Sequence, residues 1–532
     1  MKNIKRLIAL LLVATMMTTV CACGGGKNNG DEGGFQRDKN TLNVLVFDGG
    51  YGTEYIERLA EAFEAEYPGI NVVVEPTKIP LENRQQVEAD RYVADVIITD
   101  TNYTTLGVKG KLLDITDVYN SYAFGESNIT IKDKLAEAAE VNEFDGKYYQ
   151  LPVYAGATGI LYNKVYLDAI YGEGGYELPV TSQQLVDMCS DIKNKNAWPF
   201  VYTNSTDAEY LVWLRDIWVA QYMGYEEYKN YYNLQYTDAN GNLTTATTAA
   251  ELSASIRTAR ESALLPLATI MSNKLGYVPE SCSSMSFSQA QAYFVGYTAQ
   301  TDVKVVDGHK GAAFMVNGDW LWSEIEKYSS MVEVDVRFMR TPVNSGLIDK
   351  LATVNTEEQL VECVKYVDTV LDGTTGTRPS YLSDEDFETI YEARRMVYTH
   401  HDKMIATIPA NCNDAEVAKN FLKFIASDTG ALMHSDSYDG MVSIFNSNVK
   451  SEANLSNFSA SVNYALNTDP LRVCCLTSPY VVYGGLNFFR YYSFCQELYK
   501  TTDPAATVKA IVDWTENDLN TTWSRVVNSY QP

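Results

Sequence analysis

The chain has 532 residues, of which 46% are hydrophobic, and its formal net charge at pH 7 is −26. A chain of this length can build more than one hydrophobic core, so two lobes are expected. The negative charge argues against nucleic acid or an anionic lipid surface as a partner, because both would repel the protein. After the N-terminal segment, no apolar run reaches the roughly 18 residues that indicate a membrane span.

The N-terminus has the pattern of a secretory leader. Basic residues at positions 2, 5 and 6 precede an apolar run at 7–20, which is too short for a membrane span and suits a signal-peptide core. The letters VCACG at 20–24 resemble a bacterial lipobox, which would be cleaved between Ala22 and Cys23 and carry lipid, palmitate included, on Cys23. The alternative is an ordinary signal peptide with an incidental cysteine.

The segment after the leader should separate the folded body from the membrane. We expect residues 1–22 to be a lipoprotein signal peptide that is removed. Residues 23–40 are rich in glycine and contain almost nothing apolar, so they predict a flexible tether. Acyl chains on Cys23 would then anchor the protein to the membrane, since more than one chain gives stable attachment.

Cysteine and histidine do not indicate a metal or redox site. Seven cysteines follow Cys23, an odd number without Cys-x-x-Cys spacing, and the chain has four histidines in all. We therefore expect no disulfide framework, no metal site and no cofactor.

The mature chain opens with alternating strand and helix patterns. In chain order they predict a strand at 42–47, a helix whose apolar face includes Ile56, Leu59, Ala60 and Phe63, a strand at 70–74, a helix at 81–92 and a strand at 94–99. This alternation predicts a parallel α/β sheet. Such sheets bind ligands beyond the carboxyl ends of their strands, which here are the loops at 48–52 and 100–103.

A later helix shows both its start and its buried face. Asn413 and Glu416 have the spacing of a capping box, and apolar positions recur at helical spacing from Val417 to Ile425. We expect this helix to build the core of the first lobe rather than to contact a ligand.

Several segments, taken together and in order, resemble one protein family. They are FEAEYPGI at 63–70, DVIITD at 95–100, LPVYAGATGILYNK at 151–164, GAAFMVNGDWLW at 311–322, and MIATIPANCNDAEVAKNFLKFI at 404–425. The set resembles the extracellular solute-binding proteins of family 1, the maltose-binding-protein-like receptors of ABC importers.

The resemblance implies an α/β, two-lobed fold of the type II periplasmic-binding-protein class, with a hinge between the lobes. The chain would cross between lobes near Tyr154, His401 and Phe445. The implied limits are 41–153 plus 402–445 for lobe 1, and 154–401 plus 446–532 for lobe 2. Relative to compact members of the family, extra length is expected at 231–281 and 343–398.

The resemblance also implies a ligand site between the lobes. Sugar rings expose C–H faces edged by hydroxyls, so flat aromatic side chains with polar groups at their edges suit them. Trp320 is the preferred platform, and Trp213 is expected in the core instead. For Tyr154, Tyr483 and Phe488 a core or hinge role is the alternative. The predicted ligand-binding residues are Asp48, Gly50, Tyr51, Asn102, Tyr103, Tyr154, Tyr210, Trp320, Trp322, Tyr483 and Phe488.

The implied function is that of a lipid-anchored substrate-binding protein of an ABC importer. It would bind a carbohydrate, with an oligosaccharide expected, at the extracytoplasmic face of the cell membrane. The expected partners are that carbohydrate and the transporter's membrane subunits, with the protein itself a monomer.

We do not expect an enzyme, because the chain lacks a Gly-x-Ser-x-Gly elbow, a P-loop and a His-Glu-x-x-His motif. Two alternatives stay open. The 68 acidic residues offer many carboxylate pairs for a secreted glycoside hydrolase. A peptide-binding or adhesive lipoprotein would share the anchor and the fold but would need a broader, less aromatic groove.

Overall fold

A computed structural model of the protein describes residue 35 and residues 37–528, with gaps at 136–141, 155, 205–209, 400–403, 440, 448–454, 467–469, 474–477, 483–484 and 487–490. Residues 37–532 group into one compact unit, which contains every element named below. Three predicted functional residues, Cys23, Tyr483 and Phe488, lie outside the described residues, as does the signal peptide.

The strands are, in chain order, β1 (Thr41–Phe47), β2 (Asn71–Thr77), β3 (Val96–Thr99), β4 (Glu143–Phe144), β5 (Lys147–Tyr148), β6 (Leu151–Pro152), β7 (Ala157–Asn163), β8 (Gln235–Thr237), β9 (Leu243–Thr245), β10 (Val305–Val306), β11 (His309–Lys310), β12 (Phe314–Gly318), β13 (Val336–Met339), β14 (Met396–Thr399), β15 (Ile405–Thr407) and β16 (Leu471–Val473).

The α-helices are α1 (Glu54–Glu66), α2 (Pro80–Glu88), α3 (Thr104–Val108), α4 (Thr116–Tyr119), α5 (Ile131–Leu135), α6 (Lys164–Tyr171), α7 (Ser182–Asn194), α8 (Tyr210–Met223), α9 (Tyr225–Tyr232), α10 (Ala249–Ile270), α11 (Phe287–Phe294), α12 (Leu321–Ile325), α13 (Glu357–Leu371), α14 (Asp384–Arg395), α15 (Ala415–Ile425), α16 (Asp428–Ser437), α17 (Asn457–Leu466), α18 (Pro479–Val482), α19 (Tyr491–Lys500) and α20 (Pro504–Asn528). Short 3-10 helices occur at Glu280–Ser283, Glu326–Ser330 and Ser345–Lys350.

The first sheet has the strand order β2-β1-β3-β15-β6. Its core is parallel, because β1 pairs in parallel with both β2 and β3. The predicted opening series of strand, helix, strand, helix and strand is therefore confirmed. β15 returns from far along the chain and pairs antiparallel with β3 and β6. The carboxyl ends of β1 and β3 consequently open onto one edge of this sheet, as the sequence predicts.

The second sheet is centred on β7. β12 pairs antiparallel along one edge of β7, and β13 and β14 pair with successive parts of it on the other edge. β14 in turn pairs in parallel with β16. The register places Gly318 beside Thr158, so the turn after β12 lies next to the start of β7.

The chain passes from the first sheet to the second between β6 and β7, and returns between β14 and β15. The predicted lobe boundary between residues 153 and 154 falls in the first of these connections. The full lobe limits stay a prediction.

Amphipathic helices cover the first sheet. On α1 the residues Tyr55, Ile56, Leu59, Ala60 and Phe63 are buried, which is the predicted apolar face. α15 buries Ala418, Phe421, Leu422 and Ile425 in the same core.

The start of α15 differs from the predicted capping box. The N-cap is Asp414, whose side chain accepts hydrogen bonds from the backbone N–H groups of Glu416 and Val417. In a capping box the Glu416 side chain would accept from the Asn413 backbone N–H, but that N–H donates to the Asp95 carboxylate instead. The Asn413 side chain donates to the backbone carbonyl of Asp38. The predicted capping box is therefore wrong, and the cap lies one residue later than the local spacing suggests.

The longer of the expected insertions carries a core of its own. Helices α13 and α14 bury Leu360, Cys363, Val367 and Ile390 in a cluster separate from the main one. Such a satellite core can stabilise a peripheral segment without altering the sheets.

Within the described residues, no helix combines the length and the hydrophobicity that a membrane crossing requires. The same residues contain no group of three or more His, Cys, Asp and Glu side chains placed to hold a metal ion.

Candidate functional site

A cavity of about 340 Å³ lies where the loops that follow β1 and β3 meet the aromatic side chains of the second lobe. It is also bounded by the two connections between the sheets, through Tyr154, Gly156 and Met404. The described residues that line it are Phe47, Gly49, Gly50, Tyr51, Asp100, Tyr154, Gly156, Tyr210, Trp213, Phe287, Trp320, Glu324 and Met404. Both lobes therefore contribute to one cavity, of a size suited to a small ligand.

Stacked rings form the wall that the second lobe contributes. Tyr210 stacks on Trp213 with ring centroids 4.5 Å apart and on Phe287 at 4.7 Å. Tyr210 and Trp213 share a face because they are three residues apart at the start of α8. Trp320 meets Tyr210 and Trp213 edge-on, at 6.2 Å and 6.0 Å.

A pair of tyrosines adjoins these rings, and Tyr51 meets Trp320 edge-on with ring centroids 6.0 Å apart. Tyr51, in the loop after β1, stacks on Tyr154 with ring centroids 4.2 Å apart. The Tyr154 hydroxyl lies 3.0 Å from the hydroxyl of Tyr438, which donates to the backbone carbonyl of Tyr51. These contacts hold the Tyr51 ring and its backbone in place.

Trp320 lies close against two glycines, one from each lobe. A Cβ atom on Gly50 would lie 2.7 Å from Cδ1 of the indole, and a Cβ on Gly318 would lie 2.2 Å from Cζ3. Both distances are shorter than any real carbon–carbon contact, so a side chain at either position would displace the ring. The close approach of the Trp320 indole therefore requires glycine at positions 50 and 318.

Two polar contacts join the same parts of the lobes. The Tyr51 hydroxyl donates a hydrogen bond to the Asp319 carboxylate, and the Ser323 hydroxyl donates to the backbone carbonyl of Gly50. Asp319 is fixed on its own side because its second oxygen accepts from the Ala157 backbone N–H at 3.1 Å. The loop after β1 is thereby bonded to the turn after β12.

The site is acidic. Burial raises the pKa of the Asp319 carboxyl from its ordinary value of 3.8 to about 6, although the hydrogen bond from Tyr51 opposes this shift. Burial also raises the pKa of Glu324, against the opposing effect of a hydrogen bond from Gln291. Asp100 supplies a second carboxylate to the lining, and no Lys, Arg or His is among the described lining residues.

Five of the predicted ligand-binding residues line the cavity, namely Gly50, Tyr51, Tyr154, Tyr210 and Trp320. Their contact with a ligand stays a prediction.

Four other predicted residues do not line the cavity, and each has a different role. Asp48 forms an ion pair with Lys78, with the Nζ and Oδ2 atoms 2.7 Å apart. Asn102 uses its side-chain oxygen to accept from the Thr104 backbone N–H at the start of α3.

The two aromatic residues of this group also point elsewhere. Tyr103 is fully buried, and its hydroxyl donates to the backbone carbonyl of Pro80 at 3.1 Å. Trp322 stacks on Phe458 of α17, with ring centroids 6.1 Å apart. Of the two predicted tryptophans, Trp320 lines the cavity and Trp322 does not, and a stacking role for Trp320 stays a prediction.

The structure adds lining residues that the sequence reading missed. Trp213 is only 4% exposed, as its predicted core role requires, and yet it forms part of the cavity wall. Phe287 begins a helix with a Ser286 capping box. This pattern predicts the helix but not that it packs beside the cavity. Glu324 follows Trp320 by four residues, a helical spacing that could have been noticed.

A larger cavity, of about 580 Å³, lies between α19 and α20. Its aromatic lining is Phe494 and Trp514, and its charged lining residues Glu497, Lys500 and Asp503 are of both signs. This groove involves the C-terminal helices alone, so domain movement would not enclose a ligand there. We therefore treat the cavity between the lobes as the candidate site.

Residues 49–272 match the family described as bacterial extracellular solute-binding protein. The predicted resemblance is confirmed. The matched segment contains the loop after β1 and the start of α8, which together supply Tyr51 and Tyr210 to the cavity. This family consists of binding proteins, in agreement with the prediction that the chain is not an enzyme.

Two diacetylchitobiose-binding proteins of Streptomyces coelicolor are similar in sequence. NgcE is 22% identical over 185 residues, covering 33% of this chain and 37% of that protein. DasA is 28% identical over 199 residues, covering 36% and 43%. The matches thus span about two fifths of each relative's length.

Solved structures resemble almost the whole chain. Apo RafE from Streptococcus pneumoniae superposes with a TM-score of 0.57 at 16% identity, covering 92% of this chain and 100% of RafE. RafE in complex with raffinose and a chitin oligosaccharide binding protein each give a TM-score of 0.55, at 16% and 15% identity, covering 91% and 90% of this chain and 99% of their own. The predicted two-lobed α/β fold is confirmed.

The buried Asp319 predicts a pH-dependent stability. Because its folded pKa of about 6 exceeds its ordinary value of 3.8, the folded state takes up a proton between these values before the unfolded state does. Lowering the pH from about 7 to about 5 should therefore stabilise the wild type by about 1 kcal/mol relative to Asp319→Asn. Urea unfolding of both proteins at the two pH values measures this difference.

Tyr51→Phe provides the second arm of that experiment. Loss of the hydroxyl removes a hydrogen bond that lowers the Asp319 pKa, so the pH at which stabilisation begins should rise. Equal pH slopes in the wild type and Asp319→Asn would show that this carboxyl is not protonated in the folded state over this range.

Proposed function

We propose that this protein is the lipid-anchored substrate-binding component of an ABC importer and that it binds an oligosaccharide in the cavity between its lobes. The observation that carries the proposal is the lining of that cavity. Seven of its described residues are aromatic and two are carboxylates, and they come from both lobes. Flat rings match the C–H faces of sugars, and carboxylates accept hydrogen bonds from the hydroxyls at their edges.

The two-lobed construction gives the mechanism. A sugar that contacts Tyr51 on one lobe and Trp320 on the other is bound better when the lobes are together, so it shifts the population toward the closed form. The Tyr51–Asp319 hydrogen bond belongs to that closed arrangement, because it joins the same two surfaces. Closure then provides the signal that the transporter's membrane subunits recognise.

The comparisons support a carbohydrate as the ligand. The two Streptomyces relatives are diacetylchitobiose-binding proteins, and two of the similar structures are a raffinose complex and a chitin oligosaccharide binding protein. The membrane anchor rests on the lipobox-like sequence that ends in Cys23. The importer partnership rests on the family resemblance.

A saccharide panel tests the function directly. At about 100 to 1,000 times its dissociation constant, a bound oligosaccharide should stabilise the fold by roughly 3 to 4 kcal/mol through linkage. A thermal-shift screen detects this, and chromatography of the recovered sugar should show it intact. Catalytic turnover to shorter sugars would favour a glycoside hydrolase, and stabilisation by peptides alone would favour a peptide-binding lipoprotein.

Trp320→Ala should weaken binding of the saccharide identified in that screen. Truncation of a stacking aromatic at the centre of a site costs about 2 kcal/mol or more, which is roughly thirtyfold in affinity. Trp322→Ala is the matched control, since Trp322 lies two residues away and stacks on Phe458 outside the cavity. Titration calorimetry on both folded variants measures the contrast.

Equal losses of affinity in the two variants, or normal affinity in folded Trp320→Ala, would contradict the stacking role. Because Trp320 also packs between Gly50 and Gly318, a moderate decrease of its melting temperature is compatible with that role.

Cys23→Ala should release the protein from membranes. The variant lacks the thiol that receives lipid, so labelled palmitate should no longer be incorporated and the protein should appear in the soluble fraction. Cys21→Ala is the control and should be lipidated normally. Equal labelling of Cys23→Ala and the wild type would contradict the predicted anchor.

A further inference from the structure

The charge of the cavity carries information on the ligand that its shape does not. Asp100 follows β3 in the first lobe, and Glu324 lies on α12 in the second, so the carboxylates come from opposite lobes. Asp319 adds a third carboxyl directly behind Tyr51. Acidic side chains of both lobes are therefore among the described lining residues.

The aromatic lining acts in the same direction. The face of an aromatic ring carries partial negative charge, so it attracts a cation and repels an anion. The aromatic residues that line the cavity include Tyr51 and Trp320. Rings and carboxylates thus disfavour the same class of ligand.

Two described lysines near the site do not line the cavity. Lys78 pairs with Asp48 at the outer side of the loop after β1. Lys327, which lowers the pKa of Glu324, lies with its ammonium 5.2 Å from the centroid of its own neighbour, the Tyr328 ring. Neither lysine is among the described lining residues.

The Glu324 carboxylate is held in place by a neighbouring side chain. Glu324 is partly buried, and its carboxylate accepts a hydrogen bond from the Gln291 side chain on α11. It follows Trp320 by four residues, so the carboxylate and the aromatic platform lie on one face of the same short helix. A sugar stacked on Trp320 would therefore present its edge to Glu324.

We propose that Glu324 is a specificity-determining residue, through which the cavity accepts neutral and amine-bearing saccharides and rejects those that carry a uronic acid. This inference rests on the proposed function and names the charge class of its ligand. Charge interactions at a partly buried site are screened only in part, so discrimination between an amine and a carboxylate of roughly tenfold or more is expected.

A competition experiment measures the discrimination. The purified protein is mixed with equal amounts of oligosaccharides from cellulose, chitosan and pectin, which are neutral, amine-bearing and uronate-bearing. Mass spectrometry then gives the composition of the retained fraction. We expect neutral or amine-bearing sugars to be retained and uronates to be excluded.

Glu324→Gln tests the residue itself, because it keeps the shape and removes the charge. The ratio of uronate to amine retained should rise by about tenfold in this variant. The ratio is informative even where the substitution weakens all binding. Glu326→Gln is the matched control, since it removes one charge from the same segment at a position outside the cavity lining, and its ratio should equal that of the wild type.

The results separate failure of the Glu324 inference from failure of the proposed function. Retention of uronates equal to neutral sugars by the wild type, or an unchanged ratio in Glu324→Gln, overturns the role of Glu324 and leaves sugar binding intact. Retention of no saccharide in any class, together with no stabilisation by any sugar of the thermal-shift panel, contradicts the proposed function and this inference together. Lys403 adjoins the lining residue Met404 but lies outside the described residues. Uronate binding that disappears in Lys403→Met would assign the charge preference to that lysine and overturn the inference.

Discussion

One hydrogen bond, from the Tyr51 hydroxyl to the Asp319 carboxylate, connects the two sheets at the point where the cavity forms. It joins the loop after β1 to the turn after β12, and the Ser323 hydroxyl reinforces it through the carbonyl of Gly50. With Tyr51 held in this way, its ring stacks on Tyr154 and meets Trp320 edge-on. Burial of a carboxylate costs free energy, and the donors around Asp319 offset part of that cost. A group that is both buried and shared by two lobes is well placed to couple their relative position to the occupancy of the site.

The position of Trp320 in the cavity wall depends on close packing around its indole. Glycine at positions 50 and 318 leaves room for the indole between the two lobes. The stacked rings of α8 and α11 pack against the indole edge-on. Asp100 and Glu324 add carboxylates to the lining. An apolar, ring-lined space with acidic edges suits a molecule that has C–H faces and many hydroxyls.

Local patterns predicted much of the framework. Two patterns predict the parallel sheet, namely the apolar periodicity around Ile56 and Phe63 and the short apolar run before Asp100. Tyr51 and Asp100 do lie in the loops that follow its strands. The individual contacts were harder, because neighbouring residues in a loop can face opposite ways. Tyr103 turns into the core while Gly50 and Tyr51 face the cavity, and Trp322 turns away from the face that Trp320 shares with Glu324. Phe287 could not be placed at all, since only the packing of α11 against α8 brings it beside Tyr210.

The central claim is that a saccharide binds between the lobes, against Trp320. A crystal structure of the protein with the oligosaccharide found in the thermal-shift screen tests it most directly. We predict electron density for a sugar ring stacked on the Trp320 indole, beside Tyr51 and with hydroxyls near Asp100 or Glu324. Sugar density beside Trp514 in the groove between α19 and α20, with the cavity between the lobes holding none, would contradict the account.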